Sequence, residues 1–403
     1  MHDENSQERI TQHSGRYVEV IETRRAAHGA QPSSALTRAR NRLLALMCAI
    51  VAGACLLASQ GIIQNAAMLG AGLELRAMPG SEAADPDEPA AVERASRPLP
   101  AAPVTQTATA SAKDYDPRVM PKDIQVLMAE AQEEFANQKR DGDIKEKTYT
   151  ANDSTHQFGS LAVRNTTVTE QERDIAKDLA APLDLRIDKS KAAVLIFHTH
   201  TTEAFEILDR PWYAQDWTSR TENGARSIVR VGDAVAESLE RAGFQVVHDT
   251  TIYDRKYTGA YDQSRVGVLR ALEENPSIQV TLDVHRDAIH TDKGVHIKPV
   301  AVINGKKAAQ VMIITGVNEG AITDFPDWAK NLAFAAKLQA SGNETAPGLM
   351  RPLFFSPRKY NMNVTPYSLL LEFGSDANTL EEAVYSGRLM GTAIANLLNQ
   401  YSQ

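Results

Sequence analysis

After Lys189, short apolar runs alternate with longer amphipathic stretches, and this alternation constrains the fold more than any other feature of the chain. The runs have the length of β-strands, whereas the longer stretches have the apolar spacing of helices. The alternation predicts an α/β domain with a mostly parallel central sheet flanked by helices. The predicted strands are residues 192–197, 244–247, 278–284, 300–303, 311–315 and 368–373. The predicted helices are residues 225–242, 264–274, 328–341 and 380–398.

An apolar segment without charged residues, residues 43–63, lies well ahead of this domain. At about 1.5 Å per residue, a helix of this length covers the roughly 30 Å core of a bilayer. Arginines cluster before the segment and acidic residues follow it, which predicts a cytoplasmic tail at residues 1–42 and an extracytoplasmic position for everything after the helix. A cleaved signal peptide is the alternative, but its charged region would lie within a few residues of Met1. We therefore predict a single-pass transmembrane helix at residues 43–63.

Residues 64–113 are rich in alanine and proline and lack the large apolar side chains that a core needs. We expect a disordered spacer there. Residues 114–147 form the next segment, in which the apolar spacing over residues 124–139 predicts a short amphipathic helix. The composition of residues 154–167 is typical of one or two strands that lead into the main domain. The main domain is predicted to cover residues 148–403.

Charge and cysteine content exclude several kinds of site. The net charge of −8 disfavours a nucleic-acid partner, because phosphate binding requires a basic surface. Cys48 and Cys55 both lie in the apolar segment, and no cysteine follows them. The predicted domain therefore has neither a disulfide framework nor a cysteine-ligated metal site.

Polar side chains follow three of the predicted strands at the point where each strand ends. In open α/β sheets, ligands bind at the carboxyl ends of the strands. A carboxylate at the end of an apolar run is costly to bury unless it is paired or has a purpose. Imidazoles and carboxylates that converge without thiolates are typical of a catalytic zinc site, with a further carboxylate as general base. The residues at the three strand ends are His198, His200 and Glu203, then Asp283, His285, Arg286 and Asp287, and finally Glu372.

Each of these residues has a simpler interpretation when it is considered alone. His198 and His200 are two apart, so on a strand they would point the same way and could line one solvated face. His285 alone would more often be a core or rim histidine than a ligand. Glu372 alone could interact with the helix that begins near Thr379. The coincidence at three strand ends favours the metal site over these interpretations.

Three stretches, "LIFHTHTTEAF", "LDVHRDA" and "LLLEFGSDANTLEEA", resemble in this order the signature stretches of the stage II sporulation protein P family. The resemblance covers about residues 148–403, and the order of tail, membrane helix, spacer and C-terminal domain is also similar. It implies an extracytoplasmic cell-wall hydrolase of endospore-forming bacteria, similar in fold to the zinc-dependent N-acetylmuramoyl-L-alanine amidases. It further implies action on peptidoglycan during engulfment, at the forespore septum, alongside stage II sporulation proteins D and M.

The resemblance also implies a Zn²⁺ cofactor held by two histidines and one acidic residue. The histidines are His198 or His200, from "HTHTTE", and His285, from "LDVHRD". The motif itself indicates Glu203 as the acidic ligand, because this residue lies within it. In the related amidases, however, the corresponding glutamate precedes the next helix, and that analogy selects Glu222.

The implied reaction is hydrolysis of the amide between N-acetylmuramic acid and L-Ala of the stem peptide. Glu372 is the implied catalytic base, and Arg286 either helps zinc to stabilise the oxyanion or pairs with a neighbouring aspartate at the rim. The family is also associated with endopeptidase activity on the stem peptide, for which the motifs identify no residues. The chain departs from the usual pattern at Ala204 and Phe205, where Ser-Tyr is common, and we expect this change to affect hydrogen bonds around the ligands rather than the ligands themselves.

Two other classes of protein are alternatives to such a hydrolase. The first is a non-catalytic peptidoglycan-binding or scaffolding module, which the complete set of candidate ligands and the intact Glu372 disfavour. The second is a carbohydrate deacetylase, which would show its own Asp and His pairs, and the sequence does not show them.

Overall fold

A computed structural model of the chain describes residues 10–12, 115–168 and 172–403. The predicted transmembrane helix at residues 43–63 and the predicted spacer at residues 64–113 lie outside the described residues, as does the predicted tail apart from residues 10–12. Within the described part of the chain, no helix combines the length and the apolarity needed to cross a membrane.

The described residues form helices and strands that follow the predicted alternation closely. Every strand and helix predicted after Lys189 is present, with small shifts at the ends, and the predicted helix at residues 124–139 is present as the first helix. The helices are α1 (Lys122–Glu134), α2 (Glu172–Ala180), α3 (Ile228–Arg241), α4 (Ala260–Glu274), α5 (Trp328–Thr345) and α6 (Leu380–Asn399). The strands are β1 (Ile10–Gln12), β2 (Arg140–Lys147), β3 (His156–Phe158), β4 (Leu161–Asn165), β5 (Ala192–Phe197), β6 (Trp212–Ala214), β7 (Gln245–His248), β8 (Val280–Asp287), β9 (Ile289–Thr291), β10 (His296–Ile303), β11 (Lys306–Ala309), β12 (Val311–Gly316), β13 (Leu353–Ser356) and β14 (Tyr367–Ser375).

Eight of these strands form the main sheet, in the order β3-β4-β13-β12-β14-β8-β5-β7. Strands β3 and β4 pair antiparallel, as do β12 and β14, and the other neighbours pair parallel. The α/β class is therefore confirmed, and the sheet is mixed. The antiparallel direction of β14 relative to β12 follows from the short connection that precedes β14. Residues 357–366, which connect β13 to β14, contain no helix, whereas a parallel return would need a crossover of a dozen or more residues.

Helices pack against both faces of the main sheet, and each face has its own hydrophobic core. Helices α3, α5 and α6 share the main hydrophobic core with alternate residues of β5, β8 and β14. Helix α4 lies against the other face, where Leu195 and Phe197 of β5 belong to a smaller core. Helices α3 and α6 approach each other closely at Gly391, because a Cβ added there would lie 2.7 Å from the Cβ of Ser238 and from the carbonyl oxygen of Val235.

A second sheet, which the sequence did not predict, adjoins the end of β14. Its order is β1-β9-β10-β2-β6, and β11 pairs with β10. The run at residues 300–303, predicted as a strand of the main sheet, belongs to β10 of this second sheet, so its assignment is corrected. The segment at residues 114–147 contributes β2 as well as α1, because β2 pairs in parallel with β10. Ser375 and Asn378 join the two sheets by donating hydrogen bonds to the carbonyl oxygens of Ile297 and Pro299, at 2.7 and 3.1 Å.

Strand β1 pairs antiparallel with β9, from Ile10 opposite Thr291 to Gln12 opposite Ile289. A membrane helix at residues 43–63 would place β1 and β9 on opposite sides of the membrane. The pairing and the predicted topology therefore exclude each other, and a measurement of topology distinguishes them.

Candidate metal site at the carboxyl ends of three strands

The carboxyl ends of β14, β8 and β5 lie side by side, because these strands are neighbours and run parallel. In this register, Glu372 of β14 lies opposite His285 of β8, and Phe197 of β5 lies opposite Asp283 of β8. All four residues are buried. Opposite residues of neighbouring strands point to the same face of a sheet. Glu372 and His285 therefore share one face, at the edge where the loop after β5 begins.

His200 is buried in the loop after β5, and neither of its ring nitrogens has a hydrogen-bond partner among the described residues. Its ring centre lies 5.3 Å from that of His285, with the two rings nearly perpendicular, and the ring of Tyr257 stacks on it at 4.6 Å. Burial lowers the pKa of His200 to about 3, so the imidazole is neutral at pH 7 and keeps a lone pair. A buried imidazole without partners is costly, and a metal ion would satisfy it.

Glu203 and His285 form the second part of the cluster. The Nδ1 atom of His285 lies 3.5 Å from Oε2 of Glu203, and its Nε2 atom lies 2.7 Å from Oδ1 of Asp283. The backbone N–H of Arg286 donates a 3.0 Å hydrogen bond to the same Oε2 atom. Burial alone would lower the pKa of His285, but the carboxylates of Asp283 and Glu203 outweigh burial and raise this pKa well above its ordinary value. In the absence of a metal, His285 therefore forms a buried ion pair with its two carboxylates.

His198 lies apart from this cluster, on the side of the sheet that faces α3. Its Nδ1 atom is 2.8 Å from the carbonyl oxygen of Val284, and its Nε2 atom is 2.9 Å from Nε2 of His248. A Cβ added to Gly232 of α3 would lie 2.6 Å from Nε2 of His198. Of the two alternatives, the structure therefore brings His200 and not His198 to the cluster of His285 and Glu203. Because β5 ends before His198, the rule that residues two apart on a strand point the same way does not apply to His198 and His200.

Glu222, the alternative acidic ligand, lies at the surface. Its side chain is 59% exposed and lies 3.3 Å from Nε of Arg255. Glu203 is 6% exposed and contacts His285. The structure therefore brings Glu203 to the cluster and leaves Glu222 outside it.

Arg286 is buried, and its guanidinium donates hydrogen bonds to three main-chain carbonyl oxygens. The acceptors belong to Ala204 at 2.8 Å, Asp287 at 3.2 Å and Ser219 at 2.6 Å. Ala204 directly follows Glu203, and Ser219 lies after β6, where its carbonyl oxygen also accepts a hydrogen bond from the N–H of Ala204. In this structure the guanidinium contacts main-chain oxygens rather than an aspartate carboxylate, and its role in stabilising an oxyanion stays a prediction. The contacts show a residue that positions the loop carrying Glu203.

Sequence reasoning missed the groups that surround His200. The ring of Tyr261 lies 5.5 Å from the ring of His200, and burial, together with the nearby carboxylates, raises the pKa of Tyr261 well above its ordinary value. Asp254 is buried with its Oδ2 atom 3.8 Å from Nδ1 of His200, and it accepts hydrogen bonds from Thr202 and Arg220. These residues lie in loops or at the start of α4. No strand end or motif spacing pointed to them.

The side chains of His200, His285 and Glu203 fit a zinc ion. Two imidazoles and one carboxylate are the donor set of catalytic zinc sites that keep one position open. His200 offers ring nitrogens that lack protein partners, and a divalent cation would replace the proton that His285 carries between its carboxylates. Glu372 lies on the neighbouring strand as a further carboxylate.

Solved structures with some likeness to this fold include three amidases. The N-acetylmuramoyl-L-alanine amidase AmiC2 of Nostoc punctiforme has 14% identity and a TM-score of 0.30, with 52% of this chain and 96% of that chain covered. The CwlD amidase from Clostridioides difficile, in complex with the GerS lipoprotein, has 12% identity and a TM-score of 0.31, with 52% and 99% covered. The catalytic domain of CwlV from Bacillus (Paenibacillus) polymyxa var. colistinus has 15% identity and a TM-score of 0.29, with 52% and 97% covered. At these TM-scores, nothing about the activity of this chain follows from the likeness.

Sequence comparison gives a firmer result. Stage II sporulation protein P of Bacillus subtilis (strain 168) is 30% identical to the chain over 204 residues, which are 48% of this chain and 47% of that protein. The chain thus spans about half the length of this curated relative. Residues 99–395 match the family described as Stage II sporulation protein P (SpoIIP), and this match contains all three motif stretches. The resemblance carried by the motifs is therefore confirmed, and the chain belongs to the stage II sporulation protein P family.

Proposed function

We propose that the chain is a zinc-dependent peptidoglycan hydrolase of sporulation, an N-acetylmuramoyl-L-alanine amidase that cleaves the amide between N-acetylmuramic acid and L-Ala. One observation carries the proposal. His200 is buried beside His285, and neither ring nitrogen of His200 has a hydrogen-bond partner in the described part of the chain. The same strand ends bring Glu203 and Glu372 to this place. Family membership supports the assignment to sporulation.

His200, His285 and Glu203 would hold the zinc ion. Asp283 lies beside Nε2 of His285 and would help to orient this ring. Asp254, whose Oδ2 atom lies 3.8 Å from Nδ1 of His200, would help to orient that ring. Bound Zn²⁺ supplies Lewis acidity at an open coordination position, which polarises a carbonyl group and acidifies water.

Glu372 would act as the general base and then as the general acid. Its carboxylate takes the proton from the attacking water and delivers it to the leaving amino group of L-Ala. Strand β14 fixes this carboxylate beside His285, and its complete burial keeps bulk water from competing for the proton. Arg286 has an indirect role, since its main-chain N–H and its guanidinium hold Glu203 and the loop around it.

A cavity of about 370 Å³ lies next to this loop, and its lining includes none of the three proposed ligands and not Glu372, so it could hold only a part of the substrate remote from the reacting amide. Its lining includes Phe205, Trp217, Arg210 and Arg220. Aromatic rings can pack against sugars, and guanidinium groups can bind the carboxylates of lactyl groups or peptides. The proposal extends to a membrane anchor at residues 43–63, a position at the forespore septum, and cooperation with stage II sporulation proteins D and M. Endopeptidase activity on the stem peptide is a further possibility that the same digest would show.

The test is a digest of purified peptidoglycan by the full chain, purified in detergent with Zn²⁺ and analysed by mass spectrometry. We expect stem peptides with a free L-Ala amino terminus and glycan strands without peptides. A chelator should abolish their release, and added Zn²⁺ should restore it. Glu372→Gln should keep the metal and lower the rate about 10²- to 10⁴-fold, because it removes the general base.

Glu222→Gln is the matched control, since it makes the same substitution at an exposed glutamate. Its rate should stay close to that of the wild type. Unchanged muropeptides from the wild-type protein, with Zn²⁺ and the proposed partners present, would exclude the hydrolase. In that case, the non-catalytic peptidoglycan-binding or scaffolding module would be the better assignment.

A further inference from the structure

A second group of metal-ligating side chains lies outside the proposed catalytic site. Among the described residues, His290, His296 and Asp376 each offer one ligand atom, and these atoms all lie within 4.8 Å of one another. His290 belongs to β9 and His296 to β10, whereas Asp376 follows the last residue of β14. The group therefore lies where the second sheet meets the main sheet. Nothing in the proposed reaction uses it.

The geometry of the three side chains is close to that of a metal site. The Nε2 atom of His290 lies 2.7 Å from Oδ2 of Asp376, and the Nδ1 atom of His296 lies 3.9 Å from the same oxygen. Ligand atoms of a tetrahedral zinc site, at about 2.0–2.1 Å from the metal, are separated by roughly 3.3 Å. The observed distances lie on both sides of this value. The rings of His290 and His296 stack nearly parallel at 3.8 Å, so the His290 ring would have to turn out of this stack before all three atoms could bind one ion.

Two buried polar atoms of the cluster have no partner. Nδ1 of His296 and Oδ1 of Asp376 have no hydrogen-bond partner among the described residues, although His296 is 8% and Asp376 2% exposed. Buried polar atoms in native proteins nearly always have partners, so two such atoms in one cluster point to a missing ligand. His290 has a side chain that is 31% exposed, which leaves a path to solvent.

Aromatic rings pack against His296. Tyr213 stacks on one face of His296 at 3.8 Å, and His290 stacks on the same ring at 3.8 Å. The Tyr213 ring can hold the plane of the His296 ring, whereas the partly exposed His290 ring can turn to bring its nitrogen to an ion.

We propose that His290, His296 and Asp376 form a second binding site for a divalent cation of the zinc class, separate from the site at His200, Glu203 and His285. Two imidazoles and one carboxylate form a donor set that suits zinc and its neighbours in the first transition row. The ion joins the β9–β10 hairpin to the turn between β14 and α6. Since Asp376 lies four residues after Glu372 on the same chain, the ion also fixes the end of the strand that carries the proposed base.

The test counts the metal ions bound by the full chain, purified in detergent, stripped with chelator, loaded with Zn²⁺ and dialysed. The wild type should retain two equivalents. His296→Phe keeps the aromatic stack with Tyr213 but removes the ligand nitrogens, so it should retain one equivalent, as should Asp376→Asn. His285→Ala should also retain one, held by the second site. His156→Ala, which removes a histidine from β3, is the control and should retain two.

Thermal unfolding in a variant without the proposed catalytic site measures metal binding at the second site alone. In the His285→Ala background, added Zn²⁺ should raise the midpoint of thermal unfolding, and this shift should disappear when His296→Phe is added. The proposal is overturned if the wild type retains one equivalent and His296→Phe still retains it. The cluster would then be an ion pair between His290 and Asp376 that binds no metal. The opposite pattern, with one equivalent lost in His296→Phe and kept in His285→Ala, would support the second site and count against the proposed catalytic site.

Discussion

Two buried histidines, His198 and His200, provide a matched test of which side chain binds the metal. His200→Ala should abolish binding at the proposed catalytic site, because it removes a ligand that has no other partner among the described residues. His198→Ala should keep the metal but lower the free energy of unfolding by about 1–3 kcal/mol, since it leaves the buried Val284 carbonyl oxygen without its partner. Metal analysis and urea denaturation of the two variants measure these effects. Loss of metal in His198→Ala alone would reverse the assignment.

Glu206 predicts a pH dependence of stability. Burial raises the pKa of this carboxyl from 4.5 to about 7, although Arg210 lies only 3.3 Å away. Because the folded pKa is above the unfolded one, the stabilisation is fully present below about pH 4.5 and is lost as the pH rises through 7. Glu206→Gln should therefore match the wild type at pH 4.5 and exceed its unfolding free energy by up to about 3 kcal/mol at pH 8. Denaturation in chelator at both pH values measures the difference. Equal differences at the two pH values would contradict the prediction.

At the residue scale, the motifs predicted Glu203, His285 and Glu372 as neighbours because three strand ends had to meet at one edge. They could not separate His198 from His200, since the answer depends on where β5 ends, and the apolar run does not mark that residue sharply. Nor could they predict Asp254, which reaches His200 from a loop after β7. Loop residues come together through tertiary folding, which leaves no periodic signal in the sequence.

At the scale of elements, the contact between α3 and α6 depends on a glycine. Gly391→Ala would gain about 0.5–1 kcal/mol from helix propensity. However, the new Cβ would lie 2.7 Å from the Cβ of Ser238 and from a main-chain oxygen, and the main chain cannot move aside easily. Overpacking typically costs about 1–3 kcal/mol, so we expect a net loss of stability. Asn396→Ala, on the exposed side of α6, is the control and should change stability by less than about 0.5 kcal/mol. A more stable Gly391→Ala variant would show that the two helices can separate.

Four strands of the main sheet, β5, β8, β12 and β14, were predictable because each is largely an apolar run buried on both faces. Strand β13, with only four residues, was missed. The second sheet was not predictable, since β2 has the sequence "RDGDIKEK" and β6 has only three residues, so neither shows an apolar run or alternation. The antiparallel pairing of β14 also escaped prediction. It depends on residues 357–366 forming no helix, whereas the amphipathic patterns alone suggested parallel strands throughout.

At the scale of the whole molecule, the topology prediction can be tested with intact protoplasts. If residues 43–63 cross the membrane with the arginine-rich tail inside, external protease should remove the domain after residue 113 and spare residues 1–42. Immunoblots with antibodies against each end measure the outcome. Protection of the domain would overturn both the topology and access to peptidoglycan. Cleavage of both ends would place residues 10–12 on the same side as β9, in agreement with their pairing.

The hydrogen bonds of Arg286 have a consequence for how the family can vary. The guanidinium donates hydrogen bonds to the main-chain carbonyl oxygens of residues 204 and 219. Every amino acid has such an oxygen, so these bonds do not depend on the side chains at the two positions. Natural selection can therefore exchange the side chains of this loop while its shape is preserved, which accounts for Ala204 and Phe205 in place of the common Ser-Tyr. Lysine could not replace the arginine, because a single ammonium group cannot reach acceptors on three sides. Freedom to vary the side chains of the loop thus depends on the arginine at position 286 of the neighbouring strand.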